Sequence, residues 1–250
     1  MTIAFGAAGA VAPGTTSLSI AYPTGITAGQ MLLMFISNKY PTNGPSLPAG
    51  WSAPANNQFS RGGGTPGVDT GDMYITLFYK IADGTETGSQ SVTVTSGNSC
   101  LGVIMRYTKT TGGWQIACAG GSDNVAGTAW SVTAASNPGV TASDMVLVGS
   151  AICGNTDTAT VEAITQTGVT FGTMVERVDT GTNNGDDCSI WVTEHPVTAG
   201  PGSAAPAYTA TVGGTGSANA AGASIFVRLR EVPVAIPPFQ RRTYIWPRKG

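Results

Sequence analysis

The chain contains an internal repeat, and this repeat constrains its fold more than any other feature. Residues 26–33, ITAGQMLL, return 114 positions later as VTASDMVL at residues 140–147. Loop-length changes between tandem copies would make the offset drift along the chain. The sequence therefore predicts two copies of one unit, each of about 110 residues, near the usual domain size. Two shorter echoes flank the first at offsets of 113 and 122: Ile3-Ala4 with Ile116-Ala117, and residues 102–106 with residues 224–228.

Strand signals dominate, whereas no ten-residue window places apolar residues at helical spacing. Residues 31–36, MLLMFI, are continuously apolar, so we expect a strand in a sheet covered on both faces, or partly at the contact between the copies. Short strands joined by Gly- and Pro-rich turns predict an all-β fold of two tandem antiparallel β-sandwich units, jelly-roll or immunoglobulin-like. The predicted strands are Ser17–Ala21, Gln30–Asn38, Met73–Ile81, Ser91–Thr95 and Leu101–Thr108 in the first copy, and Trp130–Ala134, Asp144–Cys153, Cys188–Glu194, Tyr208–Val212 and Ser224–Arg230 in the second.

We predict three segments: a first sandwich repeat at 1–112, a second at 113–231 and a C-terminal tail at 232–250. The connector Thr108–Trp114 is too short for a free linker, so the copies should pack side by side. No stretch approaches eighteen consecutive apolar residues, which argues against a membrane span. The first residues lack a basic region, so we expect a first strand there and not a signal peptide.

Charge is sparse and uneven. Charged residues make up 10% of the chain, against about 25% in ordinary soluble domains. A weakly charged surface is better tolerated in a protein covered by partners, which favours assembly. Residues 1–230 hold eight Lys/Arg and thirteen Asp/Glu, whereas the last twenty hold four and one. An acidic body therefore carries a basic tail.

Residues suited to catalysis or cofactor binding are few. His195 is the sole histidine, and no Gly-x-Ser-x-Gly elbow accompanies it, so we expect a structural or surface histidine. The glycine-rich stretch Arg61–Gly67 lacks a Gly-Lys-Ser/Thr ending and should be a flexible loop, not a phosphate cradle. Asp179–Asp187 concentrates oxygen ligands but lacks the closing Glu of an EF-hand, which favours a polar hairpin loop over a calcium site. The sequence thus predicts no catalytic residue, no metal and no cofactor.

Aromatic residues and cysteines leave alternatives open. Tyr40, Trp51 and Phe59 lie in one long loop region and suit either core-edge packing, which we favour, or a sugar-stacking platform.

The four cysteines could serve as small hydrophobic residues buried in the core or could form disulfides. If disulfides form, Cys153–Cys188 is plausible because Cys153 ends one predicted strand and Cys188 opens the next; Cys100–Cys118 would be the other pair. The absence of a CxxC pair argues against zinc.

The C-terminal tail is the segment most suited to binding. Four prolines favour an extended course. Aromatic residues at a free terminus are costly unless a partner covers them, and basic residues would meet an acidic partner surface. Two other roles stay open: the tail could lie back over its own body or, less favoured because four basic residues give a weak footprint, contact packaged nucleic acid. The predicted docking residues are Phe239, Arg241, Arg242, Tyr244, Ile245, Trp246 and Arg248.

The segments ITAGQMLLMFISN, LPAGW, ITLFYKIADGTET and LGVIMRYT together resemble tandem β-sandwich structural proteins of tailed-phage virions. The shared motifs are Pro48-Ala49-Gly50-Trp51 and residues 79–84, YKIADG, and the second copy has lost both. The resemblance implies a non-enzymatic virion component (head decoration, neck or tail-associated) that is oligomeric in the particle and contacts capsid, neck or tail proteins. It supplies no active-site residues. The second possible function is a carbohydrate- or receptor-binding module of a tail fibre or cell-surface protein. The third, which we favour least, is a glycan-active enzyme.

Overall fold

The computed structural model describes residues 3–39, 44–61, 71–95, 97–125, 127–154, 158–213 and 221–232. These residues form seventeen antiparallel β-strands and contain no helix, so the predicted all-β class is confirmed. Within this part of the chain there is accordingly no helix long and apolar enough to cross a membrane. The strands are β1 (Ala4–Ala8), β2 (Ala12–Gly14), β3 (Ser17–Ala21), β4 (Met31–Lys39), β5 (Gln58–Arg61), β6 (Met73–Ile81), β7 (Ser89–Thr93), β8 (Ser99–Thr108), β9 (Gly113–Asp123), β10 (Ala129–Thr133), β11 (Met145–Ile152), β12 (Thr158–Thr165), β13 (Thr170–Phe171), β14 (Val175–Thr182), β15 (Cys188–Ala199), β16 (Ala207–Gly213) and β17 (Gly222–Val232).

Two large and two small sheets contain all of these strands. The first large sheet has the order β1-β8-β4-β6-β5, with β2 also on β8, and the second has β13-β15-β11-β17-β9, with β14 also on β15. The first small sheet pairs β3 with β7, and the second has the order β10-β16-β12. Read from the other edge, β9-β17-β11-β15-β14 follows the same chain-order pattern as β1-β8-β4-β6-β5. The two halves of the chain therefore build large sheets of the same strand order.

Strand register reproduces the longest echoes of the sequence. Ile36 of β4 faces Gly102 of β8, and Ser150 of β11 faces Ser224 of β17. Ser150 lies 114 residues after Ile36, and Ser224 lies 122 residues after Gly102. These are the offsets of the two sequence echoes. At the chain start, Ala4 of β1 faces Thr108 of β8. Arg230, which lies 122 residues after Thr108, faces Gln115 of β9, so Gln115 is the structural counterpart of Ala4. The offset between these two residues is 111, whereas the sequence echo gave 113. A shift of two keeps side chains on the same face.

Interior strands of the large sheets are buried on both faces, as the apolar run predicted. Every residue of β4 and of β11 is buried. Alternate residues of β4 belong to different hydrophobic clusters: Leu33 and Phe35 to a central one, and Leu32 and Met34 to an outer one. Continuous apolar sequence thus reflects two covered faces.

The central cluster joins the two large sheets. It unites Phe35 and Leu77 of the first with Leu147 and Ile225 of the second. The absence of a side chain at Gly149 of β11 lets the Phe35 ring lie against the β11 backbone, because a Cβ at position 149 would lie only 2.6 Å from Cδ1 of Phe35. The halves therefore meet through sheet faces, and any side chain at position 149 would have to displace the Phe35 ring.

Outer clusters join each large sheet to its small sheet. On the first, Met34 and Ile104 share a cluster with Ile20 and Val92. On the second, Val148, Trp191 and Phe226 share one with Trp130, Val132 and Tyr208. Trp130 and Trp191 meet edge to face at 5.6 Å between ring centroids. Each small sheet thus covers the large-sheet face that the central cluster leaves free.

Both motifs of the resemblance have turn and core roles. In residues 79–84, Lys80 Nζ pairs with Glu86 Oε1 at 2.9 Å, and that carboxylate accepts the backbone N–H groups of Asp83 and Gly84. Gly84 has φ +90°, a conformation that glycine adopts without strain. Trp51 N–H donates to Pro48 O at 3.2 Å, closing the other motif as a turn. The motifs therefore explain local folding and not a chemical site.

Candidate binding cleft

A cleft of about 570 Å³ opens where the two halves of the chain join. Its walls come from the start of β4, the end of β6, the four-residue connector 109–112 and the start of β9. Ile81 is 44% exposed beside it, a large fraction for an apolar residue. Apolar surface open to water marks a place where another group can bind. We call this the connector cleft. The larger side chains that line it include those of Met31, Tyr79, Ile81, Lys109, Trp114 and Ile116.

Hydrogen bonds and a cation–π contact hold the connector wall in place. Trp114 Nε1–H donates to Gly29 O at 2.8 Å, which ties β9 to the turn before β4. Lys109 Nζ lies 5.6 Å from the centroid of the Trp114 ring and donates to the carbonyls of Thr111 and Gly112. The connector is therefore an ordered wall, consistent with the prediction that it is too short to be a free linker.

The last described strand ends beside the connector cleft. Val232 of β17 pairs with Gly113, and Glu231 pairs with Trp114, so the strand ends at the wall of the cleft. The Thr111 N–H donates to the Glu231 carboxylate and adds a contact from the connector. The seven docking residues predicted in the tail, from Phe239 to Arg248, lie outside the described residues. The tail segment that contains them nevertheless begins at Val232, beside this cleft.

A buried lysine links the two large sheets at the opposite end of β4. Lys39 is 0% exposed. Its Nζ donates to the carbonyl oxygens of Cys153, at 2.7 Å, and Asp186, and lies 3.4 Å from Asp187 Oδ1. Asn98 adds a two-way hydrogen bond with Asp186. A buried cation requires such partners, so this contact orients the β14–β15 turn against the first sheet.

A second polar link crosses the same contact. Tyr107 O–H of β8 donates to Glu194 Oε1 of β15 at 2.6 Å, and Arg177 Nη2 donates to Glu194 Oε2 at 2.8 Å. The Arg177 guanidinium lies 4.0 Å from the centroid of the Phe5 ring. Burial, then the nearby Glu194 charge, raises the pKa of Tyr107 well above its ordinary value, so the phenol stays a donor. The Glu194 carboxylate thus couples strands β8, β14 and β15, and the Arg177–Phe5 contact adds β1.

His195 lies inside the protein, which agrees with its predicted structural role. It is 1% exposed and packs between the rings of Phe171 and Tyr208 at centroid distances of 6.2 and 6.1 Å. Its Nε2 is hydrogen-bonded to Thr193 Oγ1 at 2.9 Å. Burial lowers the pKa of His195 to about 4, so the ring is neutral at physiological pH. Its only polar partner in these interactions is the Thr193 hydroxyl, which is itself fully buried.

Two half-buried carboxyl groups lie nearby, where β12 approaches β14. Burial raises the pKa of Glu162 to about 7 and that of Asp179 to about 6, and the Tyr208 hydroxyl is hydrogen-bonded to Glu162. Asp179 Oδ2 accepts the Ala159 N–H at 3.1 Å, which joins the edge strands. Near neutrality these groups exchange protons with solvent, so this edge responds to pH. Sequence reasoning missed Glu162 because its strand, β12, carried no strong apolar alternation.

The acidic stretch Asp179–Asp187 is divided between a strand and a turn. Its first four residues end β14, and the rest form the turn to β15, so the hairpin-loop interpretation holds for residues 183–187. Asp186 and Asp187 are occupied by the contacts with Asn98 and Lys39. Across the described ranges, no group of three or more His, Cys, Asp or Glu side chains could hold a metal ion.

All four cysteines are buried in the structure. Cys153 follows β11 and Cys188 opens β15, and the last ladder pair of these strands is Ile152 with Ser189. The two cysteines therefore occupy neighbouring strand ends, as the sequence suggested. Burial raises the pKa of Cys188 to about 11 and those of Cys100 and Cys118 to about 12, so these thiols are poor nucleophiles.

The predicted sugar-stacking residues do not form an open platform. Trp51 is 6% exposed, stacks on Tyr22 at 6.4 Å between ring centroids and donates from Nε1 to Gln90 Oε1. Phe59 packs against the central cluster. Both therefore take the core-edge role that we favoured. Tyr40 and residues 62–67 of the glycine-rich stretch lie outside the described residues.

Sequence reasoning also missed the residues that link the sheets. Lys39 had a weak signal, a lysine shortly after the continuous apolar run at residues 31–36, but its partners lie 114 to 148 positions away. Comparison of the chain with protein-family models, with curated proteins and with solved structures found no match.

Proposed function

We propose that this protein is a non-enzymatic structural component of a tailed-phage virion, held in the particle by its C-terminal tail. The observation that carries the proposal is the position of β17, from which the tail continues. β17 is hydrogen-bonded to β11 on one side and to β9 on the other, and the β9 ladder runs to Val232. A pull on the tail is therefore resisted by both neighbouring strands and by the central cluster.

We further propose that the fold is two tandem antiparallel β-sandwich units, each a large sheet covered by a small one. The matching strand orders, the corresponding strand registers and the outer clusters support this. The Lys39 and Glu194 contacts favour a rigid pair of units over a hinged pair. A rigid body with an anchored tail suits a component that occupies a fixed place in an assembly.

The proposal is tested by deleting Pro237–Gly250 and measuring incorporation into particles. The strands that hold β17 are untouched, so the truncated protein should fold but be lost from particles purified by density gradient. A matched control replaces Val125, 71% exposed at the far end of β9, with Ser and should incorporate normally. Normal occupancy of the truncated protein would refute attachment through the tail, and failure to find the full-length protein in particles would refute the virion role.

The alternative of a glycan-binding module depended on the aromatic residues of the long first-copy loop. Trp51 and Phe59 pack in hydrophobic clusters, so their faces are not available for stacking on a sugar. No described feature favours this alternative over the structural role.

A further inference from the structure

We propose that the connector cleft is the seat of the chain's own tail root, residues 233–239, and that only the distal tail is free to reach a partner. This inference concerns an intramolecular contact and does not depend on the virion role. It starts from the place where the described chain ends, at Val232 beside Gly113.

The chemistry of the cleft matches that of the tail root. The cleft presents the apolar or aromatic side chains of Met31, Tyr79, Ile81, Trp114 and Ile116. The root, VPVAIPPFQ at 232–240, has apolar Val, Ile and Phe residues and no charge. Burial of such side chains against exposed apolar surface is favourable by roughly 25 cal/mol per Å².

Reach and connectivity favour the root over any other occupant. Residues 233–239 can span at most about 23 Å when extended, enough to lie along the cleft that begins at Val232. Because the root is covalently attached there, its effective concentration at the cleft is in the millimolar range or above. Three prolines restrict the unbound chain, so less conformational entropy is lost when it docks.

Charge separates the root from the distal tail. The cleft wall carries the cationic Lys109, whose ammonium group lies over Trp114. The proposal moves Phe239 from the predicted docking residues to the root and leaves the other six, among them Arg241, Arg242 and Arg248, in the distal tail. Burying these cations in an apolar cleft would cost free energy that the uncharged root does not lose. The distal tail is therefore directed away from the cleft and left for a partner.

Disulfide trapping in the full chain tests the proposal. The double variant Ile81→Cys/Ile236→Cys should form an intramolecular disulfide under mild oxidation, detected as a linked peptide in the monomer fraction. The matched control is Val125→Cys/Ile236→Cys. Position 125 lies beyond Asp123 at the far end of β9, more than about 30 Å from Gly113, whereas Ile236 can move only about 14 Å from Val232.

We expect the first pair to cross-link at least tenfold more than the control. Cross-links found only between two chains would show that a second copy fills the cleft and would overturn the intramolecular assignment. No cross-link from either pair, with native chromatographic behaviour and thiols that react with a maleimide, would show that the cleft is open to another ligand and would also overturn it.

Discussion

Gly29 and Ser143 occupy the same position in two matching turns, and both have positive φ, +86° and +72°. In each turn the following side chain accepts the backbone N–H three residues before it: Gln30 Oε1 from Thr27 at 2.9 Å, and Asp144 Oδ2 from Thr141 at 2.8 Å. The longest sequence echo therefore encodes a turn as well as the strand after it. The two turns differ in backbone strain, because glycine adopts a positive φ without steric cost and serine does not.

Replacing Ser143 with Gly should therefore stabilise the protein. Ser143 is exposed, so the substitution removes backbone strain without opening the core. We expect a gain of about 0.5–1 kcal/mol in the free energy of unfolding, after allowing for the greater entropy of unfolded glycine. Urea titration measures it, with Ala142→Gly, outside the positive-φ position, as the control that should be neutral or destabilising. A Ser143→Gly variant no more stable than the wild type would contradict the strain argument.

Replacing Lys39 with Ala should be strongly destabilising. The change leaves Asp187 and the carbonyls of Cys153 and Asp186 without a buried cation between the two sheets. The expected loss is about 3–5 kcal/mol in unfolding free energy. Lys109→Ala, at a partly exposed lysine, should cost less than about 1 kcal/mol. Equal effects of the two substitutions in chemical denaturation would show that the Lys39 contact is not important for stability.

The Glu162 carboxyl should make stability fall as pH rises. Its pKa is raised from an ordinary 4.5 to about 7, so the folded state binds the proton more tightly than the unfolded state. The contribution is fully present below about pH 4.5 and is lost as pH rises through about 7. Glu162→Gln removes this dependence, and relative to the wild type it should gain roughly 1–2 kcal/mol between pH 4.5 and pH 8, because solvent screens a half-exposed carboxyl and reduces the full effect of the pKa shift.

The difference between these two proteins isolates Glu162 from other titrating groups, such as Asp179 and His195. The pKa of His195 is lowered to about 4, so its own effect has the opposite sense and weakens the fold at low pH. Glu176→Gln, at an exposed neighbour whose charge adds to the raised pKa of Glu162, should keep the pH dependence but move it to slightly lower pH. Parallel pH profiles for wild type and Glu162→Gln would contradict the assignment.

A Cys153–Cys188 disulfide in mature particles stays a prediction. The two residues lie at neighbouring strand ends, and extracellular conditions would let a bond persist. Peptide mapping without reduction should find the linked peptide. Cys100 and Cys118, which the sequence offered as a second pair, belong to different hydrophobic clusters and should be recovered as alkylated thiols after denaturation. Recovery of both Cys153 and Cys188 as free thiols would reject the bond.

Strands were predicted well where neighbours in sequence carry the signal. Ser17–Ala21 and Met73–Ile81 match β3 and β6 at both ends. β12 and β14 were missed as strands because they lie at sheet edges and bury little, so their sequences carry weak alternation. β9 was anticipated only as a two-residue echo, since its Gly- and Ala-rich sequence has low strand propensity.

The sequence by itself determined the all-β class, the repeat offsets and the double burial of β4, because these depend on local periodicity and on self-similarity. Only the tertiary structure decided that the two large sheets meet face to face, that Phe35 lies against Gly149, and that Lys39 reaches the Asp186–Asp187 turn. It also decided that Val232 ends beside the connector cleft. These contacts join residues more than a hundred positions apart. The closeness of such residues is set by packing of whole sheets, which no local pattern of side chains records.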